Sequence, residues 1–218
     1  MSRPIAVLRP EPGNRVTAAA IEAAGRGVIR MPLFATAPIA WDVPDPTAFD
    51  ALILTSANAM RHGGPGLARL IGLPVHAVGT VTGEAARRFG FNVVTNGDSG
   101  AATLLARAEA TGTRRALHLA GRERTIEAGG IVADVITVYA SDPLPVNDMA
   151  MLSGSVALVQ SARAAMRLRE IAADRATIVL VTISSAVAEA AGDGWERVVV
   201  SPAPSSEAMI DAAMALAD

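Results

Sequence analysis

The chain contains no cysteine. Thiolate nucleophiles, disulfides and cysteine-ligated zinc or iron–sulfur sites are therefore excluded. It contains no lysine either, since all 19 basic residues are arginine. That removes Schiff-base chemistry, attachment of pyridoxal phosphate and the phosphate-gripping lysine of a P-loop. The three histidines, His62, His76 and His118, stand far apart without a paired metal-ligand spacing, so no metal site is expected. Aromatics are only 3 % of the residues and the net charge is −2. No base-stacking platform and no global attraction to nucleic acid follow from these values, and no nucleic-acid partner is expected. No apolar run approaches the ~20 residues of a membrane span. Ile5–Leu8, followed at once by Arg9-Pro10-Glu11, is too short for the apolar part of a signal peptide. The expectation is a cytosolic protein with no membrane partner.

What is present is a hydrophobic content of 51 % with 19 glycines and 13 prolines, which fits a folded α/β chain rich in tight turns. One stretch organises the rest: Ala51–Arg61, ALILTSANAMR. Its apolar run stops at Thr55-Ser56 and small helix-starting residues follow, as in a buried strand, a sharp polar turn and a first helical turn. Val156–Met166, VALVQSARAAM, repeats the junction roughly 100 residues later. The echo continues. Val78–Gly90 resembles Leu180–Gly192, and Val93–Leu104 resembles Val198–Ile210. Two similar units in one chain are therefore expected.

Strands alternate with helices of about ten residues, which predicts parallel sheets covered by helices on both faces. The first two strands, Ile5–Leu8 and Val28–Leu33, have their counterparts in Ala116–Ala120 and Val132–Val138. One unit is then discontinuous, residues 1–34 plus 141–218, and the other, 38–138, is inserted into it. Connectors near Phe34–Pro38 and Val138–Pro143 are expected to run side by side as a two-stranded hinge. Several local expectations go with this reading. Asn14 would cap a helix over Arg15–Ala24, and Phe34–Phe49 would be an extended connector. Any helix within Thr125–Ala128 would be very short, Tyr139 would stand where a strand becomes a connector, and Ser205 would cap the last helix.

In open parallel sheets the ligand site lies beyond the carboxyl ends of the strands. Those ends are uniformly polar here: Thr55, Ser56 and Asn58, then Thr80 and Thr82, Ser99, Ser161, Ser184-Ser185 and Ser205-Ser206. Each is placed to offer backbone N–H groups and a helix dipole to an anion, and each also has the ordinary use of such residues as helix caps. Arg9, Arg61, Arg122, Arg124 and Arg163 lie at or just after strand ends, where a guanidinium can hold a carboxylate in a bidentate grip or stay solvated. Tyr139 is the only tyrosine, fit either to pack or to hydrogen-bond a ligand. Glu11, Glu84 and Glu123 have no paired spacing for acid–base work, and His118 reads as a core residue. No G-x-G-x-x-G follows a strand, and neither a P-loop nor a G-x-S-x-G elbow occurs. What remains suits a substrate that carries its own reactivity and a protein that dictates its shape.

These features together resemble the uroporphyrinogen-III synthase family. The matching segments are Arg9-Pro10 after the opening strand, Pro32-Leu33, Ile53–Ala59, Ala77–Thr82, Leu119–Arg124, Val138-Tyr139, Gln160–Ala165 and the late SPAPSSEAM. The resemblance implies two flavodoxin-like α/β domains and a monomer that needs no cofactor. It implies hydroxymethylbilane as substrate, a linear tetrapyrrole with eight carboxylates, cyclised with inversion of ring D and loss of water. Tyr139 matches the family tyrosine proposed to assist loss of the hydroxyl. Thr82 matches a threonine of the family's cleft, and Ser56, Ser161 and Ser184 match small hydroxyl positions. Arg9, Thr55, Asn58, Thr80 and Arg122 complete the candidate substrate contacts. Two features depart from the family pattern: Val181 stands where glycine is usual, and the segment after Arg124 is short. A hinge-closing binding protein for a small anionic ligand, without chemistry, is the alternative from another class, and a non-catalytic relative that keeps only the fold is a third.

Overall fold

A computed structural model describes residues 2–97 and 100–218, so the strand-end Ser99 lies outside the described residues. In chain order the strands are β1 (Ile5–Val7), β2 (Val28–Arg30), β3 (Phe34–Pro38), β4 (Ala51–Leu54), β5 (Val75–Val78) and β6 (Val93–Gly97). They continue as β7 (Ala116–Gly121), β8 (Val132–Pro143), β9 (Val156–Val159), β10 (Val179–Thr182) and β11 (Arg197–Val200). The helices are α1 (Gly13–Ala23), α2 (Asn58–His62), α3 (Thr80–Phe89), α4 (Gly100–Ala110), α5 (Ala162–Ile171), α6 (Ser185–Ala191) and α7 (Ser206–Leu216). The chain divides into two units, residues 1–35 with 142–218, and residues 36–141.

The first unit holds a parallel sheet in the order β11-β10-β9-β1-β2. Side chains alternate between its faces with the period of two that an extended strand imposes. Ile5, Val7, Val156, Leu158, Val179 and Val181 pack with Ala18 and Ile21 of α1 and Met209 and Ala213 of α7. Ala6, Ala157, Val159 and Leu180 pack on the other face with α5 and α6. Burying an Ile or Leu side chain fully contributes about 1.5–3 kcal/mol. A one-residue slip would move a whole set to the wrong face, so the pattern pins the register.

The second unit has the order β3-β8-β7-β4-β5-β6, with β8 to β6 parallel. Leu52, Leu54, Leu117 and Leu119 pack with α2, α3 and Leu67 and Leu70, while Ala51, Ile53 and Ala116 pack with Leu104 and Ala108 of α4. Taking β9, β10, β11, β1 and β2 as the counterparts of β4, β5, β6, β7 and β8, the two sheets run in the same order.

Three expectations need correction. Asn14 does not cap α1, because the helix begins at Gly13 after Pro12 and Asn14 is fully buried within its first turn. Its side chain donates to the carbonyls of Val7 (2.7 Å) and Arg9 (3.1 Å) and accepts from Arg30 Nε (3.0 Å). Residues 34–49 are not one extended connector, since β3 is a sheet strand and Pro46–Ala48 is a 3₁₀ turn capped by Asp45. Tyr139 stands inside β8, which continues four residues beyond it. Between Arg122 and Ile131 there is no helix at all, and Ile126 and Ile131 fill the face a helix would cover. Val181, at the position where glycine is usual, is buried in the core of β10.

Candidate functional site

In the first unit the connection from β1 runs toward β2 while β9 lies on the other side, so the crevice beyond β1 and β9 is the point where strand order reverses. Arg9 follows β1 and Ser161 follows β9. A cavity of about 210 Å³ opens between them, lined among others by Leu8, Arg9, Gln160 and Ser161. Arg9 Nη1 donates to Ser206 Oγ (3.1 Å) and lies 3.5 Å from Thr17 Oγ1. Ser161 has extended backbone, as an N-cap must, and its Oγ accepts from the Ala164 N–H (3.1 Å). Ser184 stands at the same point before α6, yet its side chain makes no cap bond.

In the second unit the corresponding reversal lies between β4 and β7. Thr55, Ser56 and Asn58 follow β4, Thr80 opens α3 after β5, and Arg122 follows β7. Ser56 Oγ accepts from the Asn58 N–H (3.2 Å), and Asn58 Oδ1 accepts from Arg61 (2.8 Å), which leaves the Asn58 amide hydrogens for other partners. Tyr139 is the register partner of Gly121, the last residue of β7, and its carbonyl accepts from the Arg122 N–H (2.9 Å). The phenol ring is half-buried over Gly121, and the His62 ring centre lies 6.1 Å away. Among the described residues none hydrogen-bonds the Tyr139 hydroxyl. Thr80 is exposed, whereas Thr82, one turn-position further into α3, is 5 % exposed and contributes little surface to this edge.

Two relationships escaped the sequence. Thr55 Oγ1 lies 3.3 Å from His118 Nε2, a contact that ties the turn after β4 to the interior of β7. Both residues project to the α4 face by strand alternation, a signal usable only once β4 and β7 are known to be neighbours. His118 is fully buried, and burial is the main cause that pushes its pKa down to about 4, with Arg124 acting the same way and the Ile126 backbone and Glu127 opposing. It is therefore neutral near pH 7. His62, hydrogen-bonded to Thr36 Oγ1 (3.0 Å), is also shifted down, by burial and then by Arg61. Among the described residues no cluster of three or more acidic or histidine side chains could hold a metal. Each rim thus offers hydroxyls, helix-start N–H groups and arginines, a set suited to carboxylates rather than to metal or nucleophile chemistry.

A sequence model described as uroporphyrinogen-III synthase HemD matches residues 15–211. Among solved structures, uroporphyrinogen-III synthetase from Helicobacter pylori aligns over 98 % of this chain and 99 % of its own, with a TM-score of 0.69 at 17 % identity. A mutant uroporphyrinogen III synthase from Thermus thermophilus aligns over 98 % of each chain, with a TM-score of 0.57 at 16 % identity. No curated protein matches the chain. At these identities the two structures speak for the fold, and the family model speaks for the lineage. No helix among the described residues is long and apolar enough to cross a membrane.

Proposed function

The chain belongs to the uroporphyrinogen-III synthase family, cyclising lyases of tetrapyrrole biosynthesis, and from that premise we propose which of its residues handle hydroxymethylbilane. Its reaction is the family's: loss of the terminal hydroxyl and ring closure with ring D inverted. Membership decides for the enzyme over the binding module. The substrate closes in water without inversion, so the protein's task is to favour a spiro-forming shape over the extended chain.

Tyr139 is the catalytic residue in this reading, its phenol hydrogen-bonding the departing hydroxyl. The observation that carries the assignment is its position: half-buried, level with the carboxyl end of β7, with no described residue bonded to its hydroxyl. Thr55, Ser56, Asn58, Thr80 and Arg122 would take carboxylates at the strand ends of the inserted unit, and Arg9, Ser161 and Ser184 at those of the discontinuous unit, while the buried Thr82 is left to packing. Hydroxyls and helix-start N–H groups donate to carboxylate oxygens, and the arginines supply the charge. The domains are 1–34 with 141–218 and 38–138, and the chain works as a monomer in the cytosol.

The test is incubation of the purified protein with freshly generated hydroxymethylbilane, followed by separation of type I from type III product. Type III product at a rate above the spontaneous closure is expected. Type I product alone would reject the synthase reading.

A further inference from the structure

The cavity beyond β1 and β9 is lined by two chemistries. Leu8 and Phe34, which share the core on the α5 and α6 side of the sheet, bring apolar surface, while Arg9, Gln160 and Ser161 bring a cation, an amide and a hydroxyl. Its volume is about 210 Å³. A second guanidinium, that of Arg163, lies 4.3 Å from the centre of the Phe34 ring.

Arg9 is held rather than loose. Ser206 Oγ accepts from its Nη1 at 3.1 Å and from Gln160 Nε2 at 3.4 Å, so one hydroxyl ties both polar groups together. The guanidinium also lies close against the first residue of α1. A Cβ added at Gly13 would stand 2.4 Å from Arg9 Nε and 2.7 Å from Cζ. Gly13 has no positive φ, so its backbone does not call for glycine. Alanine is also the better helix former there. The one thing glycine supplies at this position is the space that Arg9 occupies.

We propose that this cavity seats one carboxylate of the substrate on a short methylene stem, and that Gly13 is a positioning residue that fixes Arg9 for it. The stem packs on Leu8 and Phe34. The carboxylate meets Arg9, with the Gln160 amide and Ser161 beside it. Inorganic phosphate would leave the apolar wall unused, which favours the carboxylate arm. The assignment rests on the reading of the chain as the cyclising synthase.

Gly13→Ala in the full chain tests it. Its displaced neighbour is the far end of a flexible side chain, so the thermal midpoint should hold or rise. KM for hydroxymethylbilane should rise about tenfold with kcat within about twofold, the loss of one charge-assisted contact. In an Arg9→Met background Gly13→Ala should change KM no further. A wild-type KM in Gly13→Ala, or independent effects of the two substitutions, would overturn the proposal. A second measurement separates it from the synthase reading. Sodium propionate is titrated while the Arg9 Nε–H resonance is followed, identified by its absence in Arg9→Met. A saturable shift in wild type, weakened in Gly13→Ala, supports the seat even if only type I product is formed, in which case the synthase reading fails alone. No shift at tens of millimolar propionate overturns the seat even if type III product is formed.

Discussion

The ring of Tyr139 lies over the backbone of Gly121, its register partner across the β7–β8 pair, so closely that a methyl group on Gly121 would come 2.7 Å from Tyr139 Cζ and 2.9 Å from the phenol oxygen. Gly121 therefore sets where the hydroxyl sits. Gly121→Ala should push the ring aside and lower turnover roughly 100-fold, the lower end of the 10²–10⁴-fold that a positioned proton donor contributes. Tyr139→Phe, which keeps the ring and loses only the hydroxyl, should lower turnover comparably while its circular dichroism and thermal midpoint stay near wild type. Unchanged kinetics in Tyr139→Phe would remove the residue from the chemistry.

Ser161 serves two roles that substitution can separate. Ser161→Ala loses the bond to the Ala164 N–H and should cost about 1 kcal/mol of stability. Ser161→Asp keeps a cap acceptor and adds favourable charge at the helix start, so its urea midpoint should match or exceed wild type. The same charge opposes a carboxylate, and KM should rise several-fold. If Ser161→Asp binds substrate as wild type does, Ser161 is a cap and nothing more. Raising salt should weaken substrate binding in every variant that keeps its arginines.

Acid stability should carry the mark of His118. Its folded pKa, about 4, lies below the ordinary 6.5 because burial disfavours the charged ring. The unfolded chain then binds the extra proton between these values, so stability rises with pH across that window. The contribution is complete above about pH 6.5 and is lost as pH falls toward 4, at most about 3 kcal/mol for the shift. His62 and His76, also shifted down chiefly by burial, add in the same direction. Urea unfolding at pH 7 and pH 5 should show the loss, and His118→Asn should show a smaller difference between the two. Equal pH dependence in both proteins would contradict the assignment.

Asn14 holds the end of β1 to α1 and β2 by three hydrogen bonds from a fully buried side chain. Asn14→Ala leaves the Val7 carbonyl with only the Met31 N–H and takes the side-chain donor from the Arg9 carbonyl, and should cost about 1–3 kcal/mol, as a buried polar group losing its partner does. Because Arg9 follows directly, KM should also rise. Asn14→Asp is expected to lose stability as well, since a carboxylate cannot donate to the two carbonyls. Denaturant midpoints and substrate kinetics together check both effects.

Most of the fold was legible because its signals are local. ALILTSANAMR and VALVQSARAAM each carry strand, polar turn and helix start within eleven residues, and α3 runs over Thr80–Phe89 up to Gly90, the residue that stops it. Ser205 caps α7 through the Ala208 N–H, as expected. At Asn14 the sequence is ambiguous because a cap and a buried anchor use the same residue type, and only its partners in β1 and β2 tell them apart. The apolar pattern fades near Tyr139, yet β8 runs on to Pro143. The loss of a helix after Arg124 was partly visible as a short segment, yet that Ile126 and Ile131 take its place in the core was not.

The amino-acid order alone determined that strands would be parallel, that their exits would be polar and that one strand sequence would occur twice, because each of these is written in neighbouring residues. Tertiary structure decided which exits meet. Thr55 finds His118 sixty-three residues away, and Gly121 makes room for Tyr139, only because β4, β7 and β8 lie side by side. Periodicity states which face a side chain takes, but in a parallel sheet the neighbour comes from a distant segment through a crossover, and no local pattern records that choice.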